Sequence, residues 1–552
     1  MRPSSFLPYL SVGAATISGA LAQDASYDTI PAIEVYGQHF FYTNNGSQFY
    51  LKGVAYQQGY SPTGAKKRDS TVEYTDPLAD VDSCKRDIPF MKQIFTNVIR
   101  VYALDPTANH DECMEELAAN DIYVVADLSE PNTSIDSSDP SWNVPLFQRY
   151  AAVVDALSKY NNVIGFFAGN EVISKANETA AAAFVKAAVR DTKSYIKSQN
   201  YRSSLGVGYA TADVPSRDDL ADYFACQPTD EGNGTSIDFW GYNVYSWCGD
   251  STYQESSYGE RVDFFKDYPV PVFFAEYGCI EGVDGGATHR PFTEVEVLYG
   301  NMTEVFSGGI VYEWFMEENN YGLVSIDGSS VSPYPDFTSL QKQLKTVSPT
   351  TTQSSEYTPS NSAPACPTVY SSWAAVPSPL PPAVNPQLCE CETAAGDCAV
   401  ASDDSEDYGA AFGYICGKGD YCDAIARNAT TGDYGAIGGC SPKQQLAFVA
   451  NLYYQDNGKA SDACDFNGVA STQAASTADS CSTLLEAAGT AGTGDVPTPT
   501  AAQGTDGAAA SSSSEGAAIS GLSAPAFFNY GKLLFVGYVA LAIVSAVGIV
   551  VL

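Results

Sequence analysis

The sequence predicts an α/β protein, a (β/α)8 barrel of the TIM type followed by a small disulfide-rich module. Three observations carry that expectation. Eight short, strand-like apolar runs lie at 48–56, 96–104, 122–129, 162–170, 204–210, 237–245, 270–278 and 308–315. Between them sit stretches such as FQRYAAVVDALSKY and AAAAFVKAAVRDTKSYIKSQ, whose apolar residues recur at the three- and four-residue spacing of an amphipathic helix. Eight of the 14 cysteines then crowd into residues 389–481, a segment too poor in core to stand without covalent staples.

Strand followed by helix, eight times over, is the pattern of a parallel barrel ringed by helices. The competing α/β solution, a doubly wound open sheet, announces itself with a glycine-rich phosphate loop after its first strand. GVAYQQGY is not such a loop.

The rest of the chain divides by composition. Residues 1–22 begin with Arg2, run through an apolar stretch and end with Ala20 and Ala22 in a small-x-small arrangement, which predicts a cleaved signal peptide. The barrel is expected over 23–345. A linker rich in Pro, Ser and Thr follows at 346–386, and the Cys-rich module at 387–484. Residues 485–525, mostly Ala, Gly, Ser and Thr, read as a flexible stalk. Residues 526–552 end in LLFVGYVALAIVSAVGIVVL. A run of that length can span a bilayer. Small residues and a short spacer before it, with a signal peptide at the other end, predict instead a removed GPI-attachment signal. Its attachment site is expected between Ser511 and Ser523. Six N-x-[ST] sequons, at Asn45, Asn132, Asn177, Asn233, Asn301 and Asn428, agree with a secretory route.

Composition also excludes. With 28 Lys and Arg against 65 Asp and Glu, the formal charge of −37 repels nucleic acid. Only His39, His110 and His289 are present, and no CxxC pair occurs, which argues against a zinc site or a His-based triad. The even cysteine count in a secreted chain reads as disulfides.

Function on such a barrel sits at the C-terminal ends of the strands. Those ends carry Tyr56–Gln57, Arg100–Tyr102, Asp127–Glu130, Asn170–Glu171, Tyr242–Tyr245, Glu276–Tyr277 and Tyr312–Trp314. Aromatic faces stack on sugar rings, and amides and carboxylates bind hydroxyls, so the set describes a carbohydrate site. Glu171 and Glu276 close the fourth and seventh runs and would face one another across the mouth. Carboxyls about 5–5.5 Å apart would retain anomeric configuration through a covalent glycosyl-enzyme. Glu171 would then be the general acid/base, with a raised pKa, and Glu276 the ionised nucleophile. Asn170 is placed to bind the sugar 2-hydroxyl, and Tyr245 and Arg100 to hold the nucleophile charged. The plainer alternative, two solvated loop carboxylates, does not explain matched strand ends.

The blocks YTDPLADVDSCKRDIPFMKQIFTNVIRVYALDP, DLSEPNTSI, FFAGNEV, DFWGYNVYSWCG and FFAEYGC resemble the fungal GPI-anchored β-1,3-glucanosyltransferases of glycoside hydrolase family 72 over residues 31–340. That resemblance implies internal cleavage of a β-1,3-glucan and transfer of the retained part to the non-reducing end of another glucan. It implies Glu171 as acid/base and Glu276 as nucleophile, with no metal and no cofactor. Glucan contacts are implied at Gln57, Tyr102, Asn170, Asp213, Arg217, Tyr245 and Tyr312, beside the strand-end Asp127. The loop of Ser129, Glu130, Pro131, Asn132, Thr133, Ser134, Ile135, Asp136 and Ser137 joins them. The implied partners are donor and acceptor glucan chains and, through the GPI anchor, the outer face of the plasma membrane; the chain is expected to be monomeric.

The resemblance also implies the disulfides Cys84–Cys113, Cys248–Cys279 and Cys226–Cys366, where six cysteines alone allow 15 arrangements. The later cysteines resemble an X8-type module of carbohydrate-binding family 43, with pairs Cys389–Cys440, Cys391–Cys481, Cys398–Cys464 and Cys416–Cys422. Whether that module binds glucan or braces the barrel stays open, because Tyr408, Phe412, Tyr414 and Tyr421 suit an exposed platform or a core equally. Three functions remain: a transglycosylase, a retaining β-1,3-glucanase that shares every catalytic residue, and a wall glucan-binding protein without catalysis.

Overall fold

The computed structural model describes residues 26–59, 74–229, 231 and 234–498. The predicted signal peptide, the GPI signal and most of the stalk lie outside those residues. Among the described residues, no helix is long and apolar enough to cross a membrane.

A short helix α1 (Ser26–Thr29) precedes an antiparallel sheet of β1 (Ile33–Tyr36), β2 (His39–Tyr42) and β3 (Gln48–Phe49). The barrel follows as β4 (Leu51–Ala55), α2 (Val81–Gln93), β5 (Val98–Val101), α3 (Asp111–Ala119), β6 (Tyr123–Asp127), α4 (Val144–Leu157), β7 (Val163–Asn170), α5 (Ala181–Ser198), β8 (Gly206–Ala212), α6 (Arg217–Ala225), β9 (Trp240–Val244), α7 (Tyr258–Phe265), β10 (Val272–Tyr277), α8 (Glu294–Leu298) and β11 (Phe306–Val311). All eight barrel strands are parallel, and β11 closes on β4 with Gly308 opposite Leu51. A hairpin of β12 (Val324–Asp327) and β13 (Ser330–Pro333) and helix α9 (Pro335–Thr346) complete the unit.

Each strand predicted for the barrel is present, with one boundary corrected. The run 48–56 is two strands: β3 belongs to the antiparallel sheet, and β4 starts after Tyr50. That sheet plugs the N-terminal end of the barrel, where Phe40 meets Phe239 and Phe273 at 6.1 and 6.0 Å between centroids and Phe49 meets Tyr123 at 5.3 Å. Inside, Phe167, Phe239 and Phe273 pack on one another at 5.3–6.0 Å. Small neighbours make the space: a Cβ on Gly208 would lie 2.3 Å from the Phe239 ring. Truncating one of these rings to Ala would cost roughly 3–5 kcal/mol.

Two strand irregularities aim the chemistry. Between Phe274 and Glu276, β10 uses two residues against one of β9, so Ala275 and Glu276 do not alternate faces. On β7 the register slips between Phe167 and Asn170, and Glu171 just beyond adopts φ +50°, a left-handed conformation rare outside glycine.

The linker is an ordered strap laid along the barrel. Gln48 N–H donates to Thr352 O at 3.0 Å, Gln38 N–H to the Tyr357 hydroxyl at 3.1 Å, and Asn361 Nδ2 to Tyr268 O at 2.9 Å. Cys366 is bonded to Cys226, and Trp373 is buried against Tyr223.

The module consists of α10 (Pro386–Ala395), β14 (Cys398–Val400), α11 (Tyr408–Cys416), β15 (Arg427–Asn428), β16 (Asp433–Tyr434), α12 (Pro442–Asp456), β17 (Ala470–Thr472) and α13 (Ser482–Ala488). Its centre is α12, started by a Ser441–Gln444 capping box with Pro442 in the first turn. All seven expected disulfides form. The stalk boundary at 485 is corrected: α13 runs through it, and Gly492 O accepts from Ala436 N–H at 2.9 Å, so this stretch packs on the module. Of the four aromatics left open, Tyr408 is buried and Tyr414 half exposed.

Module and barrel form one compact unit. Val144 N–H donates to Gly439 O at 2.8 Å, and Arg427 pairs with Asp139 at 3.1 Å. Asp191 Oδ2 accepts from Trp142 Nε1 at 2.8 Å and from Val384 N–H at 3.1 Å.

Candidate active site

The site grows from Arg100, at the third position of β5 and fully buried. Its guanidinium forks onto Asp127 at the end of β6, Nε to Oδ1 at 3.2 Å and Nη2 to Oδ2 at 3.1 Å. Nη2 also reaches Asn170 Oδ1 at 2.9 Å, and Nη1 reaches Glu276 Oε1 at 3.3 Å. The rings of Tyr102 and Phe167 sandwich it at 4.3 and 4.6 Å. Burial disfavours its charge, but Asp127 and then Tyr102 and Glu276 more than restore it. One fixed cation therefore touches strands β6, β7 and β10 at once.

Glu276 is a buried carboxylate of the mouth. Its Oε1 accepts from the Tyr102 hydroxyl at 2.9 Å and its Oε2 from the Tyr245 hydroxyl at 2.7 Å. Burial pushes the carboxyl up to about 7; Arg100 opposes this, the Glu171 charge adds to it, and the two tyrosine hydroxyls hold it down. The sequence expectation of a simply ionised nucleophile is thus sharpened. Three donors are needed because the site is dry, and the anion exists by their support.

Glu171 lies only partly buried beyond the end of β7. Its Oε1 accepts from Asn243 Nδ2 at 2.7 Å, and the same amide donates to Asn170 Oδ1 at 3.1 Å. Asn170 therefore takes two hydrogen bonds on its oxygen, which fixes which end of its amide faces the mouth.

The remaining expected residues fall into four groups. Gln57 is buried, and its amide is engaged by backbone: Oε1 accepts from Tyr102 and Ala103 N–H at 3.1 and 3.0 Å, and Nε2 donates to Thr75 O at 2.7 Å. It seats Tyr102. Tyr312 lines the wall with Tyr102, Tyr245 and Tyr321, ring against ring. Asp213 and Arg217 pair with each other at 3.1 Å and join the barrel through the Tyr242 hydroxyl, one strand away from the carboxylates.

The β6–α4 loop is set by its own turns: Thr133 Oγ1 donates to Glu130 Oε1, and Asp136 Oδ1 accepts from Ser138. Ile135 is buried, and Asn132 at its tip is exposed. Sequence reasoning gave no role to Asn243, Asn319 or Tyr321. Asn243 had a signal, the amide inside WGYNVY at a strand end; Asn319 and Tyr321 sit beyond the last strand, in a loop without strand or helix pattern.

Two strand-end glutamates in one mouth, one buried and triply supported, one partly exposed and held by an amide, suit a double displacement at a sugar carbon, which needs one ionised carboxylate and one protonated carboxyl. The comparisons agree. The glucanosyltransferase model of glycoside hydrolase family 72 matches residues 22–348, and an X8 domain matches residues 397–471. A 1,3-beta-glucanosyltransferase of Arthroderma benhamiae is 48% identical over 531 residues, 95% of this chain and 94% of that one. The 1,3-beta-glucanosyltransferase gas1 of Schizosaccharomyces pombe is 42% identical over 474 residues, 84% and 83% of the two chains. A solved structure of a Saccharomyces cerevisiae Gas2p mutant in complex with laminaritetraose and laminaripentaose is 40% identical, with a TM-score of 0.73 over 83% of this chain and 98% of that one. The chain belongs to the glucanosyltransferase family of glycoside hydrolases, family 72, and carries an X8 domain after its barrel.

Proposed function

We propose that the protein is a retaining β-1,3-glucanosyltransferase with Glu276 as nucleophile and Glu171 as general acid/base. The observation that carries the assignment is the trio of donors on Glu276, from Arg100, Tyr102 and Tyr245. In the first step a Glu276 oxygen attacks the anomeric carbon of a β-1,3-glucan while Glu171 gives its proton to the departing 3-oxygen. The reducing part leaves and a glucosyl ester remains on Glu276. In the second step Glu171 takes the proton of an acceptor 3-hydroxyl, whose oxygen attacks the same carbon and frees Glu276. Asn170, whose oxygen is tied back by Arg100 and Asn243, offers its Nδ2 to the sugar 2-hydroxyl.

Transfer is favoured over hydrolysis by the family and by the names of its relatives; both outcomes use the same residues. Glucan contacts at Tyr312, Asp213, Arg217 and the loop 129–137 belong to this reading. So does tethering of a monomer to the outer face of the plasma membrane by a GPI anchor, a reading that rests on the apolar C-terminal segment 526–552, while the disulfides and sequons support a secretory route. Incubation with a reduced laminarioligosaccharide tests transfer: products longer than the substrate are expected, and exclusively shorter ones would make the enzyme a glucanase. Glu276→Gln should abolish both activities, and normal turnover by that variant would overturn the nucleophile assignment.

A further inference from the structure

Glu313 follows Tyr312 just past the end of β11 and is 1% exposed. Its Oε1 accepts from Asn319 Nδ2 at 2.7 Å, and the same nitrogen donates to the Tyr312 hydroxyl at 3.3 Å. Asn319 Oδ1 accepts from Tyr321 N–H at 3.2 Å. The backbone repeats the link, because Glu313 N–H donates to Tyr321 O at 3.2 Å and Leu323 N–H to Glu313 O at 2.9 Å. One buried carboxyl and one amide thus fix both Tyr312 and Tyr321.

Those two rings lean on the nucleophile's donors. Tyr312 and Tyr321 meet edge-on at 5.3 Å. Tyr321 lies 5.5 Å from Tyr245, and Tyr312 lies 6.5 Å from Tyr245 and 6.3 Å from Tyr102. Interlocked aromatic edges have few alternative packings, so a shift of the outer pair displaces the inner one. The contacts run in an unbroken series from Glu313 and Asn319, through Tyr312 and Tyr321, to the hydroxyls on Glu276.

We infer that Glu313 and Asn319 are positioning residues for the nucleophile, holding the tyrosine pair that seats the Tyr102 and Tyr245 hydroxyls on Glu276. This rests on the assignment of Glu276 proposed above. The charge pattern supports it. Burial pushes Glu313 up to about 8; the hydrogen bonds from Asn319 and Tyr312 oppose this, and the charges of Glu317 and Glu276 add to it. The facing cation, Arg290, is engaged by Asp336 and by the carbonyls of Tyr312 and Tyr321. Burial thus favours the neutral acid form of Glu313 and disfavours a second charge beside the nucleophile.

The test reads donor consumption, common to transfer and hydrolysis, for Glu313→Gln, Glu313→Ala and Asn319→Ala with a laminarioligosaccharide. Gln keeps the acceptor oxygen and the neutral charge, so Glu313→Gln should stay near wild-type kcat and KM at pH 6. Glu313→Ala and Asn319→Ala should lose about tenfold or more in kcat with KM much less affected, as for a nucleophile misplaced by a fraction of an ångström. Their acid limb of kcat/KM should also move to higher pH, which loss of fold alone would not produce. Wild-type kcat with an unmoved acid limb in both Ala variants would overturn the inference. So would a Glu313→Gln protein as inactive as Glu276→Gln, since Glu313 would then be catalytic itself. Glu276→Gln run alongside separates the two readings: if it turns over normally the nucleophile assignment has failed, and if it alone is inactive only the positioning role has.

Discussion

Asn243 Nδ2 stands 2.7 Å from Glu171 Oε1 and 3.1 Å from Asn170 Oδ1, so one amide holds both Glu171 and its neighbour. Asn170 in turn accepts from Arg100, which reaches Glu276. The two glutamates are coupled through three side chains on three strands. Asn243→Ala should lower kcat/KM by about 10–100-fold, the scale of one hydrogen bond of about 1.5–3 kcal/mol to a charged group. Asn243→Asp should be worse, because it sets a second carboxylate against Glu171. Steady-state kinetics on laminarioligosaccharides check both, and an Asn243→Ala enzyme with unchanged kcat/KM would remove the residue from the mechanism.

The support of Glu276 has a pH signature. The carboxyl must be ionised to attack, and burial raises its pKa, so kcat/KM should fall on the acid side as Glu276 takes up a proton. The Tyr102 and Tyr245 hydroxyls lower that pKa. Tyr245→Phe and Tyr102→Phe should each move the acid limb to higher pH, and the double variant further. A limb that stays in place in both would mean that the hydroxyls do not stabilise the anion.

Fold stability should carry the same sign. Glu276, Glu294 and Glu313 are pushed up to about 7, 8 and 8, chiefly by burial, from an ordinary 4.5. Between those limits the native chain binds more protons than the unfolded one, so stability falls as pH rises through them. Thermal unfolding should therefore occur at higher temperature at pH 5 than at pH 8. Glu294→Gln, far from any role in catalysis, should reduce that difference; an unchanged pH dependence would show that Glu294 does not contribute to it.

Asp191 joins the barrel to the end of the linker, just before the module, accepting from Trp142 and Val384 and pairing with Arg190 at 2.8 Å. Asp191→Ala leaves buried donors without partners, at a cost of about 2–4 kcal/mol. The melting temperature should drop by several degrees, with the loss of protection in hydrogen exchange concentrated at 139–144 and 376–385. Loss spread evenly over the barrel would place the joint elsewhere.

Much of this was legible in the chain. Parallel strands buried on both faces are continuous apolar runs, so the eight strands and the residues at their ends could be read directly. Glu171, Glu276, Arg100, Asn170 and Tyr245 do converge as expected. The bulge that turns Glu276 inward was not legible, because it depends on pairing two residues of β10 against one of β9. Nor was the left-handed Glu171, which no glycine marks. The plug sheet was partly hidden by the unbroken run QFYLKGVAY, within which the chain changes sheets. The strap reads as a linker by composition, since what fixes it is distant in sequence: Gln38 and Tyr357 are 319 residues apart.

The strap also decides what a protease can accomplish. Cys366 is bonded to Cys226, near the end of α6, so a backbone cut anywhere from 347 to 365 leaves the catalytic barrel and the module in a single covalent molecule. Such a nicked enzyme should run as one band without reductant and as two with it. A cut from 367 to 385 lies on the far side of that bond and would leave the halves joined by packing alone. This stretch of about forty residues therefore has one end where a cut leaves barrel and module covalently joined and another where it does not.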